Sequence, residues 1–171
     1  EAIANLSRDE IEALRSPAGP IVVAPIVDPR ARGQASPVCD DVHPGLKDIG
    51  VMLPTSPIHV MLSVSVNRPL VVTSGNVGGE PLAYRADDAE RQLGEVADRF
   101  LHHDRQIVRP VDDSVVRCIG GEVVSLRVAR GIAPLPLNVA AAKPALALGG
   151  QQKASLAVAN EYQSVLGPHI S

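Results

Sequence analysis

The sequence predicts an α/β fold with the opening β-hairpin of a second domain behind it, and three observations carry that prediction. Apolar, β-branched runs at residues 20–27, 50–53 and 70–73 alternate with stretches of helical spacing. Two further β-branched runs, 114–119 and 122–128, are joined by Gly120-Gly121, a two-residue hairpin signal. After Gly131 the composition turns to Pro and Ala, and a new pair of apolar runs begins at Ala145.

The elements follow in order. Ser7 is a candidate N-cap with Glu10 at the capping-box position, Ile11 and Leu14 share a face, and Pro17 and Gly19 stop the helix. The run over 20–27, bounded by prolines, predicts a buried strand, and 28–36, rich in Pro, Arg and Gly, a loop. Residues 50–53 predict a short strand ended by Pro54. A helix starts after Ser56 with Pro57 in its first turn, presents Ile58, Met61 and Leu62, and breaks at Asn67-Arg68-Pro69. Residues 70–73 predict the next strand, running into the small-residue turn 74–79. Asp87 with Glu90 makes a second capping-box pattern, and Ala89, Leu93, Val96, Ala97 and Phe100 continue it at helical spacing. The stretch from Ala133 to the proline at 144 reads as a linker. Residues 145–148 and 154–159 then read as a hairpin around Gly149-Gly150.

Composition excludes several classes. With 171 residues, 45% hydrophobic and 20% charged, the chain suits one soluble domain, or one domain plus a piece of another. No apolar run reaches the ~18–20 residues of a membrane helix. Tyr84, Phe100 and Tyr162 are the only aromatics, too few for stacking platforms, and the net charge of −3 argues against binding a nucleic-acid backbone. Cys39 and Cys118 stand alone, so no zinc site is expected, and two distant thiols without a signal peptide fit a reducing cytoplasm. His43, His59, His102 and His103 form no H-x-x-x-H or H-E-x-x-H pattern and read as surface or helix-face residues. The chain begins without Met and ends without a polar tail, which reads as an excerpt of something longer.

Three segments could carry chemistry. Thr73-Ser74-Gly75-Asn76-Val77-Gly78-Gly79 follows a strand end with two hydroxyls, an amide and glycines that let N–H groups approach an anion. The same residues equally make a turn whose Ser and Asn satisfy their own backbone. The second segment holds Arg105, Arg109, Arg117, Arg127 and Arg130 around Asp112-Asp113-Ser114. Arginine forks suit phosphate or carboxylate, and paired aspartates can hold Mg²⁺ on a phosphate chain. A solvated, salt-bridged hairpin explains them as well. In that hairpin Arg117 and Arg127 can come close, with the register left open. The third, Gly149-Gly150-Gln151-Gln152-Lys153-Ala154-Ser155, is a phosphate-loop candidate or a plain hairpin turn.

Together these segments resemble one family in order along nearly the whole chain. Residues 44–54 (PGLKDIGVMLP) look like its P-G-L-x-x-[IV]-G-V-M-L-P, and Ser56-Pro57-Ile58-His59 like T-P-L-H. Residues 69–81 resemble P-L-V-M-T-S-G-N-x-S-G-E-P, 103–107 resemble H-D-R-P-I, and 112–117 resemble D-D-S-V-V-R. Residues 127–134 resemble R-R-x-R-G-Y-A-P and 146–155 resemble L-A-L-G-G-x-L-K-N-[ST]. The family is that of the HypF carbamoyltransferases, which mature [NiFe] hydrogenases.

The resemblance implies a YrdC-like twisted open sheet with flanking helices. On it, residues 1–137 are the later part of a YrdC-like adenylate-forming domain, 138–144 a linker, and 145–171 the start of an actin-like carbamoyltransferase domain. It implies ATP with Mg and carbamoyl phosphate as reactants, carbamoyl-adenylate as intermediate, and the C-terminal cysteine of a HypE-type partner as acceptor, on the way to a cyanide ligand. Zinc is implied only for family segments this sequence lacks. Thr73, Ser74, Asn76, Asp112, Asp113, Ser114, Arg117, Arg127 and Arg130 would line the nucleotide or carbamoyl-adenylate. Gly149, Gly150, Lys153 and Ser155 would belong to the second domain's phosphate loop. No residue is singled out as the proton acceptor. The sequence departs from the pattern at Gly78, where serine is usual, at Val128, at Ile132 in place of an aromatic, and at His169-Ile170-Ser171. The excerpt alone is expected to be inactive. A YrdC-type threonylcarbamoyl-adenylate synthase of tRNA modification and a non-catalytic nucleotide-binding module are the alternatives. An antibiotic O-carbamoyltransferase fits less well, because its domains come in the other order.

Overall fold

The computed structural model describes residues 3–27, 38–150 and 154–170. The loop expected over 28–36 lies outside them. The chain divides into two units: Glu1–Val71 with Asp113–Ile132, and Val72–Asp112 with Ala133–Ser171.

The first unit is a four-stranded mixed sheet with a capped helix on one face. Helix α1 (Arg8–Arg15) opens with the expected capping box: Ser7 Oγ accepts from the Glu10 N–H at 3.2 Å, and Glu10 Oε2 accepts from the Ser7 N–H at 2.8 Å. Both bonds satisfy donors that a helix start leaves open. Ser7→Ala is therefore expected to cost about 1 kcal/mol, read as a lowered urea midpoint at unchanged slope.

Strands β1 (Ile21–Pro25), β2 (Asp48–Val51), β3 (Val115–Ile119) and β4 (Glu122–Arg127) lie in the order β2-β1-β3-β4. β1 runs antiparallel to β2 and parallel to β3, and β3 and β4 form the expected hairpin. Gly120 and Gly121 have φ of +63° and +88°, the left-handed pair that a tight two-residue turn requires. Alternation along β1 sends Val22 and Ala24 inward, where Ala4, Val116, Val128 and Ala129 complete a small core under α1.

Helix α2 (Pro57–Val66) begins and ends as expected. Ser56 Oγ accepts from the His59 N–H, Pro57 occupies the first turn, and Asn67 caps the end in the left-handed region. None of its residues is buried, and Val60, Met61, Leu62, Val64 and Val66 are exposed. β2 starts two residues before the expected Gly50, because its ladder with β1 extends to the pair Pro25–Asp48. The strand expected at 70–73 is not formed. Leu70, Val71 and Val72 are exposed, and among the described residues no strand pairs with them. β-branched residues make a strand only where a neighbouring edge accepts them.

The second unit contains helix α3 (Ala86–Leu93) and an antiparallel sheet. The capping box expected from Asp87 and Glu90 is absent: Arg85 is the N-cap and makes no side-chain cap bond. Asp87 and Asp88 instead sit in the first turn, where carboxylates favour the positive end of the helix dipole. The expected run to Phe100 stops at Gly94, a poor helix former, although the Val96 and Ala97 N–H groups still bond Leu93 O.

Strands β5 (Leu135–Leu137), β6 (Ala145–Leu148), β7 (Leu156–Ala159) and β8 (Ser164–Leu166) are ordered β5-β8-β7-β6. The β6–β7 hairpin is the one expected. β5 lies in the stretch read as linker and forms because β8 offers it an edge. Buried Ser164 donates its hydroxyl to Val139 O and ties the 138–144 stretch to β8.

Candidate functional site

The densest polar constellation of the first unit is built where β3 begins and the chain leaves β4. Asp113 and Arg130 form an isolated parallel bridge beyond the strand ends. The Asp113 Oδ1 accepts from Arg130 Nε at 3.0 Å and also from its Nη2. Arg130 Nη2 reaches Gly19 O at 3.4 Å, just before β1. Ser114, fully buried, donates to Arg130 O at 2.9 Å and accepts from the Ala129 N–H at 2.9 Å. Its hydroxyl is thus spent on holding residues 129–130 in place. Gly131 follows at φ +82°, against the backbone of Ala18.

The two other arginines of the motif take separate partners. Arg127 Nε donates to Asp113 O at 2.8 Å, and its terminal nitrogens have no protein partner among the described residues. Arg117 pairs across the ladder with Val124, not Arg127, so the hairpin does not bring those two arginines opposite each other. Arg117 Nη2 instead meets Asp48 Oδ2 at 2.9 Å. Asp113, Ser114, Arg127 and Arg130 therefore form one cluster, with Arg117 held elsewhere on the same sheet.

Asp112, the neighbour of Asp113 in the chain, is buried. Asp113 commits its Oδ1 to Arg130, so the two aspartates do not stand as an open carboxylate pair; a magnesium ion would be held by one carboxylate oxygen at most together with substrate phosphates. Among the described residues, no three His, Cys, Asp or Glu side chains gather as metal ligands. No described helix is long and apolar enough to cross a membrane.

In the second unit, Thr73, Ser74 and Asn76 sit on an exposed turn that is internally bonded. Ser74 Oγ donates to Asn76 Oδ1 at 2.6 Å, and Asn76 Nδ2 donates to Val77 O and Glu80 O at 3.2 and 3.0 Å. The Ala83 N–H bonds Gly75 O, and Gly79 takes φ +86° to close the loop. Asn76 thus staples the turn, and Gly78 has open space around it. In the hairpin loop, the Gly149 N–H donates to Ser155 O at 2.7 Å, Gly150 is open, and Lys153 lies outside the described residues.

Sequence reasoning missed three participants: Asp48, Gly19 and Gly131. Only Gly131 carries a signal, a glycine closing an arginine-rich strand end; the other two act through partners distant in the chain.

The Sua5_yciO_yrdC family model, described as telomere recombination, matches residues 3–129. The carbamoyltransferase HypF of Synechocystis is 39% identical over 163 residues, covering 94% of this chain and 20% of its own length. That of Rhodobacter capsulatus is 41% identical over 172 residues, covering 98% and 22%. Among solved structures, full-length HypF in a phosphate- and nucleotide-bound form matches with a TM-score of 0.83 and 31% identity, over 98% of this chain and 26% of its own. HypF of T. kodakarensis matches with a TM-score of 0.86 and 32% identity, over 98% and 21%. The chain spans about a fifth of the length of the curated relatives it matches.

Proposed function

The chain belongs to the Sua5/YciO/YrdC family, in the form carried by HypF carbamoyltransferases, and on that premise we propose that it serves in carbamoyl-adenylate formation. On this reading residues 1–137 contribute to a YrdC-like adenylate-forming domain and 145–171 open an actin-like carbamoyltransferase domain. The longer enzyme takes carbamoyl phosphate and ATP. It passes the carbamoyl group to the C-terminal cysteine of a HypE-type partner in the cytoplasm, where the product becomes a cyanide ligand of a [NiFe] hydrogenase.

The observation that carries the reading is the anchoring of Arg127 and Arg130 on Asp113. Water first displaces phosphate from carbamoyl phosphate to leave carbamate and inorganic phosphate; a carbamate oxygen then attacks the α-phosphorus of ATP, and the bond to pyrophosphate breaks. Charge grows on the transferring phosphoryl oxygens and the leaving group, and guanidinium donors fixed beforehand stabilise it without reorganising. Arg130 is held by Asp113 and Gly19 O, and Arg127 by one Nε bond that leaves its terminal nitrogens for an anion. Ser114 contributes by fixing Arg130; within the second unit, Ser74 and Asn76 brace a glycine turn that would offer N–H groups to a phosphate. Gly149, Gly150, Lys153 and Ser155 would serve a second nucleotide. Magnesium would arrive with the nucleotide.

The test is ATP–pyrophosphate exchange by the full-length protein, with carbamoyl phosphate in one reaction and threonine plus bicarbonate in another. Exchange with carbamoyl phosphate alone supports the proposal. Exchange with threonine and bicarbonate alone moves the protein to tRNA modification. Nucleotide binding with no exchange in either makes it a non-catalytic module. Within the proposal, Arg127→Ala should weaken ATP binding about tenfold by calorimetry, roughly 1.4 kcal/mol, with little change in melting temperature.

A further inference from the structure

One carboxylate on the sheet is tied to a motif arginine from a strand that is not its neighbour. Asp48 lies on β2 and Arg117 on β3, with β1 between them. Val23 of β1 pairs with Gly50 on one side and Arg117 on the other, and Pro25 pairs with Asp48. Directly paired residues share a face, so Asp48, Gly50, Val23, Pro25 and Arg117 lie on one side of the sheet. Val22, Ala24 and Val116 point to the other side, into the core. The Arg117 side chain therefore crosses β1 on the face away from the core to reach Asp48 Oδ2 at 2.9 Å.

Two features make this more than a surface ion pair. Both side chains are substantially exposed, at 40% and 32%, so the pair adds little to stability. Arg117 also uses only Nη2 in it. Its Nε and Nη1 have no partner among the described residues, so three N–H donors remain for something else. An ion pair at one corner biases the guanidinium toward Asp48 and leaves its remaining donors for an anion.

We propose that Asp48 is a positioning residue, aiming Arg117 along the sheet face away from the core at an oxyanion of the adenylating substrates. It does not touch the substrate itself. The inference rests on the adenylation reading above, and it adds a residue outside the D-D-S-V-V-R segment to that machinery.

The test is a double-variant cycle in the full-length protein, read by ATP–pyrophosphate exchange and by thermal melting. Asp48→Asn should lower kcat for exchange about tenfold while moving the melting temperature by less than about 2 °C. Asp48→Glu, which keeps the carboxylate, should recover part of the rate. In an Arg117→Ala background, Asp48→Asn should cause no further loss, because the arginine it aims is gone. Additive losses in the double variant, an unchanged rate in Asp48→Asn, or a loss matched by a drop in melting temperature would each overturn the proposal. A wild-type protein that is silent with both substrate sets overturns the adenylation reading and the aiming role with it. An active wild type with additive variants overturns the aiming role alone.

Discussion

Gly131→Ala should remove at least about 3 kcal/mol of unfolding free energy, enough to lower the denaturation midpoint by a large fraction of a typical domain's stability. Two independent costs add. The residue sits at φ +82°, where an L side chain costs about 1–2 kcal/mol through its Cβ alone. That Cβ would also stand 2.3 Å from Ala18 O, 2.6 Å from Ala18 Cα and 2.8 Å from Ala18 C. All three are backbone atoms, so no rotamer change relieves the clash; the turn at 16–19 or the strand end at 129–131 must move. Either movement disturbs the site, because Arg130 beside Gly131 bonds Gly19 O beside Ala18. Gly78→Ala is the matched control, with open space around it and an ordinary φ, and should change stability by no more than about 0.5 kcal/mol. Equal midpoints for the two variants would show that the 16–19 turn yields freely and that Gly131 is not what closes the site.

What could be read from the residues divides by the range of the interaction. The α1 capping box and the Gly120-Gly121 turn were legible because each closes within four residues. The ends of α2 were legible for the same reason, from Pro57 and Asn67. Residues 70–73 and 135–137 depart from the sequence pattern in opposite directions, and one cause explains both. Leu70 to Thr73 have the side chains of a strand but pair with no strand among the described residues, whereas Leu135–Leu137, broken by a proline, have β8. α3 is shorter than its helical spacing implies, because that spacing continues past Gly94 and does not register what a glycine does to the helix. At the candidate site, the residue types of D-D-S-V-V-R were visible, but not their partners. Nothing local indicates that Ser114 turns inward, or that Arg117 takes Asp48 from two strands away. The Ser74–Asn76 bond, two residues apart, matches the self-satisfied turn that the sequence allowed.

Ser114→Ala should cost about 2–4 kcal/mol, although it deletes a single oxygen. The side chain is fully buried, and its hydroxyl is both donor and acceptor to the segment after β4. Its loss leaves the Ala129 N–H without a partner, and Ala129 is itself fully buried, so water cannot substitute without the segment opening. The Arg130 carbonyl loses its donor in the same event. The unsatisfied buried N–H costs about 1–3 kcal/mol, and the lost bond to the partly buried Arg130 carbonyl adds about 1 kcal/mol. The main-chain bond from the Ile21 N–H to Ser114 O survives, so β1 and β3 should stay paired while residues 128–130 loosen. Ser125→Ala on exposed β4 removes the same atom without these bonds and should stay within about 0.5 kcal/mol. Loosening of 128–130 reaches both Arg127 and Arg130, so ATP affinity measured well below the melting temperature should fall in Ser114→Ala although its hydroxyl meets no ligand. Lost stability with unchanged ATP affinity would confine Ser114 to the core and separate it from the arginines it holds.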